Sequence, residues 1–111
     1  MAGIKLSLIE RIRFKVSARL MRILLGYVPS EPTILARLGT IELAFGNLGE
    51  ADRLLKSSID VNSNQPDVWF RRAMALEGLN RRGEALQCYN RAISLRPGFT
   101  EAEEARRALM V

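Results

Sequence analysis

Residues 66–99 read PDVWFRRAMALEGLNRRGEALQCYNRAISLRPGF. The preceding stretch, residues 32–65, reads PTILARLGTIELAFGNLGEADRLLKSSIDVNSNQ, and the two align without a gap at a shift of 34 residues. Pro32 falls on Pro66, Arg37 on Arg71, Ile59 on Ile93, and Gly49-Glu50-Ala51 on Gly83-Glu84-Ala85. Ile34 meets Val68, Leu35 meets Trp69 and Val61 meets Leu95. An internal period of this kind marks a repeat architecture, in which one unit buries its apolar face only by stacking on the next.

Each copy divides into two helices. Ile34, Leu38, Ile41 and Phe45 recur at helical spacing and share one face, which predicts a helix over 32–45. Gly46-Asn47 interrupts it, because these residues tolerate turn dihedrals that others resist. Ala51, Leu54, Leu55, Ser58 and Ile59 then line a second helix over 48–61, which Asn62-Ser63-Asn64 ends. In the second copy Trp69, Ala73 and Leu76 predict a helix over 66–79, opened by Pro66, where a first-turn proline forfeits no hydrogen bond. Asn80 stands in the turn. Ala85, Tyr89, Ala92 and Leu95 predict a helix over 82–95, stopped by Pro97-Gly98. Deep burial is expected for Leu38, Gly39, Ala51, Leu55, Trp69, Ala73, Ala85, Tyr89 and Ala92.

The order Trp69…Ala73…Leu76…Ala85…Tyr89…Ala92…Pro97, with Leu35…Leu38-Gly39…Ala51…Leu55…Ser58 before it, resembles the tetratricopeptide-repeat (TPR) signature of alternating large and small residues. The departures are Glu42 and Arg72 at usually apolar positions, which should weaken packing, and Ser63 where the second copy has Pro97. The resemblance implies an all-α fold, a right-handed α-solenoid of two helix-turn-helix units at 32–65 and 66–99. In such proteins the first helix of each unit lines a concave groove that holds a partner peptide. By repeat alignment that face is Thr33, Ala36, Arg37, Thr40 and Leu43, then Asp67, Phe70, Arg71, Met74 and Glu77. These positions fall opposite the apolar stripe, so periodicity also turns them outward. Arg37 and Arg71 recur across the repeat and should sit near each other, where two guanidiniums can hold a carboxylate by charge-assisted hydrogen bonds. The plainer reading is that both arginines are solvated or paired with Asp67 and Glu77. Phe70 and Met74 should offer an apolar contact. The set lacks the Lys/Asn-rich carboxylate clamp of chaperone-binding members, so a chaperone tail is not the expected ligand.

Two units alone are marginal for a solenoid, so the flanks should cap it. Thr100 and Glu103 suggest a capping box opening a helix to about Met110 within the C-terminal capping segment 100–111. Its acidic start and Arg106-Arg107 suit the helix dipole, and it reads as a solvating cap. At the other end, segment 1–30 should carry an amphipathic helix over 4–26, ended by Gly26 and Pro29. Ile9, Ile12, Val16, Leu20, Ile23 and Leu24 share one arc. Arg11, Lys15, Arg19 and Arg22 share another, and Phe14, Met21 and Leu25 form a smaller apolar group. The first expectation is a cap that buries the larger arc on the first repeat. The alternative is a membrane-peripheral or targeted adaptor, in which the four cations meet a partner or a weakly held membrane surface, as in interfacial helices and presequences. Self-association through the leftover face is a further reading.

Composition narrows the function. The 111 residues make one domain of globular balance, 48% hydrophobic and 26% charged. Lys5, Arg11, Arg13, Lys15, Arg19 and Arg22 against Glu10 alone supply, within residues 1–30, the whole net charge of +5. The basicity belongs to that segment, and the Arg71-Arg72, Arg81-Arg82 and Arg106-Arg107 pairs point in different directions, so no nucleic acid is expected. There is no histidine, which removes the commonest general base and the usual nucleophile pairs. Cys88 is the sole cysteine, aligns with Leu54, and reads as a small core residue. No metal, no cofactor and no catalysis are expected. With no apolar run of spanning length and no secretory pattern, the expectation is a cytoplasmic protein. What the repeat leaves is a scaffold or adaptor that binds protein or peptide.

Overall fold

The computed structural model describes residues 7–27 and 31–111. They form six α-helices: α1 (Leu8–Tyr27), α2 (Pro32–Ala44), α3 (Leu48–Val61), α4 (Pro66–Gly78), α5 (Arg82–Leu95) and α6 (Thr100–Leu109). α2 packs on α3 and α4 on α5 as hairpins. α3 joins the hairpins by packing on α4, while α1 flanks α2 and α6 flanks α5. This is an all-α solenoid, and its helix ends fall within about one residue of the periodicity-derived bounds. α1 is the exception: against an expected start at residue 4 it begins at Leu8, because Ser7 caps it from outside the helix, and the stop at Pro29 lies outside the described residues.

The two hairpin turns are built alike because the chemistry recurs. Gly46 (φ 82°) and Asn80 (φ 62°) occupy the same repeat position and both adopt the left-handed conformation. In each, a backbone N–H five residues on closes the turn: Asn47 N–H donates to the Glu42 carbonyl at 2.9 Å, and Arg81 N–H to the Leu76 carbonyl at 2.9 Å. Pro32 and Pro66 each open the following helix, and the Glu31 carboxylate caps α2 by accepting from the Thr33 N–H at 3.0 Å.

Burial follows the small–large alternation. Ala51, Leu55, Ala73, Leu76, Ala85 and Ala92 are fully buried, with Leu38, Gly39, Leu54 and Tyr89 nearly so. Cys88 is buried as well, and desolvation pushes its thiol pKa up. Ser58 is buried among them because its hydroxyl donates to the Pro32 carbonyl at 2.7 Å and accepts from the Gln65 amide at 3.0 Å. Trp69 is only half-buried. Its indole N–H donates to the Ser63 carbonyl at 2.8 Å, which holds the ring at the edge of the core with Arg91 over its face.

α2 and α3 approach closely at Gly39. A Cβ there would lie 2.8 Å from both Cγ and Cδ2 of Leu55, a fully buried side chain with nowhere to retreat. A Cβ on Gly49 would meet nothing within 4 Å. Gly39→Val is therefore expected to destabilise by about 1–3 kcal/mol through overpacking, whereas Gly49→Ala should stabilise by roughly 0.5–1 kcal/mol through helix propensity. Urea unfolding of the two variants checks this; equal effects would mean the helices do not cross at Gly39.

Three expectations are corrected. Thr100 and Glu103 form no capping box. Phe99 is the N-cap of α6 instead, because its ring is buried with Ala92 and Ala102 and 5.1 Å from Phe70, so the helix begins one residue early. The Thr100 hydroxyl donates to the Gly98 carbonyl at 3.3 Å. The reciprocal box occurs at the other end of the chain. The Ser7 N–H donates to Glu10 Oε2 and the Glu10 N–H to Ser7 Oγ, both at 3.1 Å, opening α1.

The second correction concerns α1. It packs on α2 through Ala18, which is buried with Leu35, Leu38, Ile41 and Leu54. Ile12, Val16, Leu20 and Ile23, expected to face the repeat, are more than half exposed. Ala18 lies on the opposite side of the helix from them, and its small side chain allows a close approach. The side chains of Ile9, Phe14, Met21, Leu24 and Leu25 lie outside the described residues.

The third concerns the two apolar-site departures, which are not weak points. Glu42, 6% exposed, accepts from Arg22 Nη2 at 2.7 Å and from the Asn47 amide at 2.8 Å, tying α1 to α2. Arg72 donates to Asp52 Oδ1 at 2.8 Å, tying α4 to α3.

Candidate functional site

α2 and α4 lie side by side as first helices of successive units, and each turns one face away from its partner helix. Two hollows open along that face. The first, about 700 Å³, is lined by Thr33, Ala36, Arg37 and Thr40 from α2, by Asp67 and Arg71 from α4, and by Asn64 and Gln65 from the α3–α4 connection. The second, about 470 Å³, is lined by Thr40 and Leu43 from α2, by Phe70, Arg71, Met74 and Glu77 from α4, and by Ala105 and Ala108 from α6. Thr40 and Arg71 border both, so the hollows adjoin along that face and are together called the groove. All ten residues assigned to the groove from the sequence line one hollow or the other.

Among the described residues the charges within the groove form no hydrogen bond or ion pair with one another. Asp67 is held by a fork from Arg96, with Nη1 at 2.8 Å from Oδ1 and Nη2 at 3.1 Å from Oδ2. This bond, with a smaller attraction from Arg71, holds its carboxyl below the ordinary aspartate range. Glu77 accepts from the Tyr89 hydroxyl at 2.8 Å. Burial, and secondarily this bond, drives the Tyr89 pKa well above the tyrosine norm. The acidic side chains of the groove are thus engaged from behind by α5 and its C-terminal end. Among the described residues Arg37 and Arg71 make no hydrogen bond or ion pair, so the first hollow presents two guanidiniums that remain available. The second hollow is mainly apolar, with Phe70 braced by the rings of Tyr89 at 5.9 Å and Phe99 at 5.1 Å.

Residues outside the ten also line the hollows, and two groups of them come from elements other than the first helices. Asn64 and Gln65 come from the connection, where no helical period applies. Ala105 and Ala108 come from α6, whose charge pattern points only to a cap. A second shift by 34 residues would have found them: Ala105 falls on Arg71 and Ala108 on Met74, so α6 takes the place of a third first-helix. It is fixed there by Arg82 donating to the Leu109 carbonyl and by Arg106 donating to Asn90 at 3.0 Å.

The other residues set aside from the sequence, Arg11, Lys15, Arg19 and Arg22, are all exposed along α1 and none lines the groove. Of these, Arg22 engages Glu42. Among the described residues no group of histidine, cysteine, aspartate and glutamate side chains could hold a metal ion, and no helix is long and apolar enough to cross a membrane.

The family model of the tetratricopeptide repeat matches residues 66–99. Residues 66–99 are a tetratricopeptide repeat, and residues 32–65 carry the same pattern 34 residues earlier. The chain is similar to the peroxisomal targeting signal receptors of Kluyveromyces lactis, 32% identical over 65% of this chain, and Candida glabrata, 29% identical over 84%. This TPR chain spans only 13% and 16% of the length of those two receptors. Among solved structures, the first TPR of Spaghetti (RPAP3) bound to the HSP90 peptide SRMEEVD superposes with a TM-score of 0.86, covering 92% of this chain and 81% of that one at 17% identity. MamA superposes at 0.85, covering 96% and 64% at 18% identity. At such identities the likeness is one of fold.

Proposed function

We propose that this TPR protein is a non-enzymatic interaction module that holds a partner peptide or helix in the groove of α2, α4 and α6. The observation that carries the reading is the juxtaposition of two uncommitted arginines, Arg37 and Arg71, with an adjoining apolar hollow walled by Leu43, Phe70 and Met74. A ligand suited to both places a carboxylate on the guanidiniums and an apolar side chain beside Phe70. Met74 adapts to varied shapes there. That a TPR of closely similar fold holds a peptide rich in acidic residues supports this class of ligand. Among the described residues the polar hollow is lined by Arg37 and Arg71 and by no lysine, so a different acidic sequence is expected to fit.

The test is selection of peptides from a random display library on the intact chain, followed by calorimetry. Enriched sequences should pair an acidic residue with an apolar one. Arg37→Ala with Arg71→Ala should weaken the enriched peptide at least about tenfold, since each charge-assisted bond contributes roughly 1.5–3 kcal/mol. Unaltered affinity at unchanged melting temperature would remove both arginines from the site.

A further inference from the structure

We propose that the outward face of α1 docks on an anionic phospholipid membrane. Leu8, Ile12, Val16, Leu20 and Ile23 are 51–74% exposed. At 100° per residue they occupy one continuous arc, about 22 Å long. The arc points away from the body, because Ala18, on the far side of the helix, is the residue buried against α2. No described α1 residue lines the groove, so this surface is separate from the peptide site.

Charge complementarity selects the occupant. Lys15 borders the arc on one edge and Arg13 on the other, while Arg19 falls just inside the Lys15 edge. All three are exposed, and none has a hydrogen bond or ion pair among the described residues. Arg22, further round toward the body, is already engaged by Glu42. The one acidic residue of α1, Glu10, is committed to the Ser7 cap on the side away from the arc. A second copy of the chain would bring the same cations against themselves. A single acidic helix seated on the stripe covers a narrow seam and satisfies one basic edge. A planar anionic surface meets both edges at once while the apolar arc enters the headgroup region. The solenoid packed behind α1 then holds the helix in the orientation that presents this face.

The intact chain is cosedimented with vesicles of phosphatidylcholine alone and of phosphatidylcholine with phosphatidylglycerol, at low and high salt. It should sediment with the anionic vesicles only, and salt should release it. Ile12→Ser/Val16→Ser/Leu20→Ser and Arg13→Gln/Lys15→Gln/Arg19→Gln should each lower the partition coefficient at least about tenfold. Both sets alter exposed positions, so melting curves should match the parent; Leu20→Ser and Lys15→Gln alone serve as milder versions. Absence of binding to anionic vesicles at low salt overturns the proposal. So does a serine variant that sediments like the parent. Dimerisation in sedimentation equilibrium, or capture of an acidic amphipathic peptide in place of vesicles, likewise overturns it.

Discussion

Tyr89→Ala should cost about 3–5 kcal/mol of stability, the range for deleting a buried aromatic side chain. Tyr89 is 1% exposed and is the largest of the fully buried side chains. It packs with Ala73 and Leu76 of α4, with Ala85 of its own helix and with Leu109 of α6, so its ring fills the place where the second repeat meets the last helix. The surrounding residues include two alanines, which cannot move into the void, so most of the cavity remains. A loss of this size is a large part of the roughly 5–15 kcal/mol that holds a small domain. Tyr89→Phe separates the ring from the hydroxyl. It removes only the bond to Glu77, an exposed carboxylate that water can reach, and should cost about 1 kcal/mol or less. Urea unfolding of the two variants decides the matter. If alanine costs no more than phenylalanine, the ring does not hold α6 on the repeat.

The gap-free period explains how much of this was legible in advance. A residue's side of a helix is set by its position in the repeat, so the buried rows and the groove row of α2 and α4 could be read together. Legibility stopped where the deciding partner lies outside the period. α1 has two apolar sides, and the sequence does not say which meets α2. Total hydrophobicity favours the arc of Ile12, Val16, Leu20 and Ile23, but the close approach of helix backbones favours the side of Ala18. Thr100 and Glu103 satisfy a capping pattern, yet burial of Phe99 shifts the helix start by one residue. Trp69 stands at a large-residue position, but its indole N–H needs an acceptor and finds it at the surface.

The charged departures are the sharpest case, and they lead to the second large effect. Leu38 aligns with Arg72, and Glu42 aligns with Leu76, so each repeat replaces one of the other's leucines with a charge. Their partners, Asp52 and Arg22, each lie 20 residues earlier, beyond the reach of helical spacing. Arg72 and Asp52 are only 15% and 14% exposed, and Arg81 approaches the second Asp52 oxygen at 3.5 Å. Asp52→Ala would leave the Arg72 guanidinium stranded between the repeats. The expected loss is about 3 kcal/mol, at the low end for breaking a buried pair because some solvent access remains. Arg72→Leu should cost less, about 1 kcal/mol, since Asp52 keeps Arg81 within reach. The two repeats themselves supply the apolar alternative: Leu86 occupies the Asp52 position and Leu38 the Arg72 position. Asp52→Leu with Arg72→Leu therefore restores residues the fold already accepts at those places. Its stability should equal or exceed the parent's, because no charge is left buried. A double-mutant cycle of Asp52→Leu and Arg72→Leu by urea unfolding should show strong coupling, with the paired replacement far milder than Asp52→Leu alone. If the effects simply add, the pair is not the joint between the repeats.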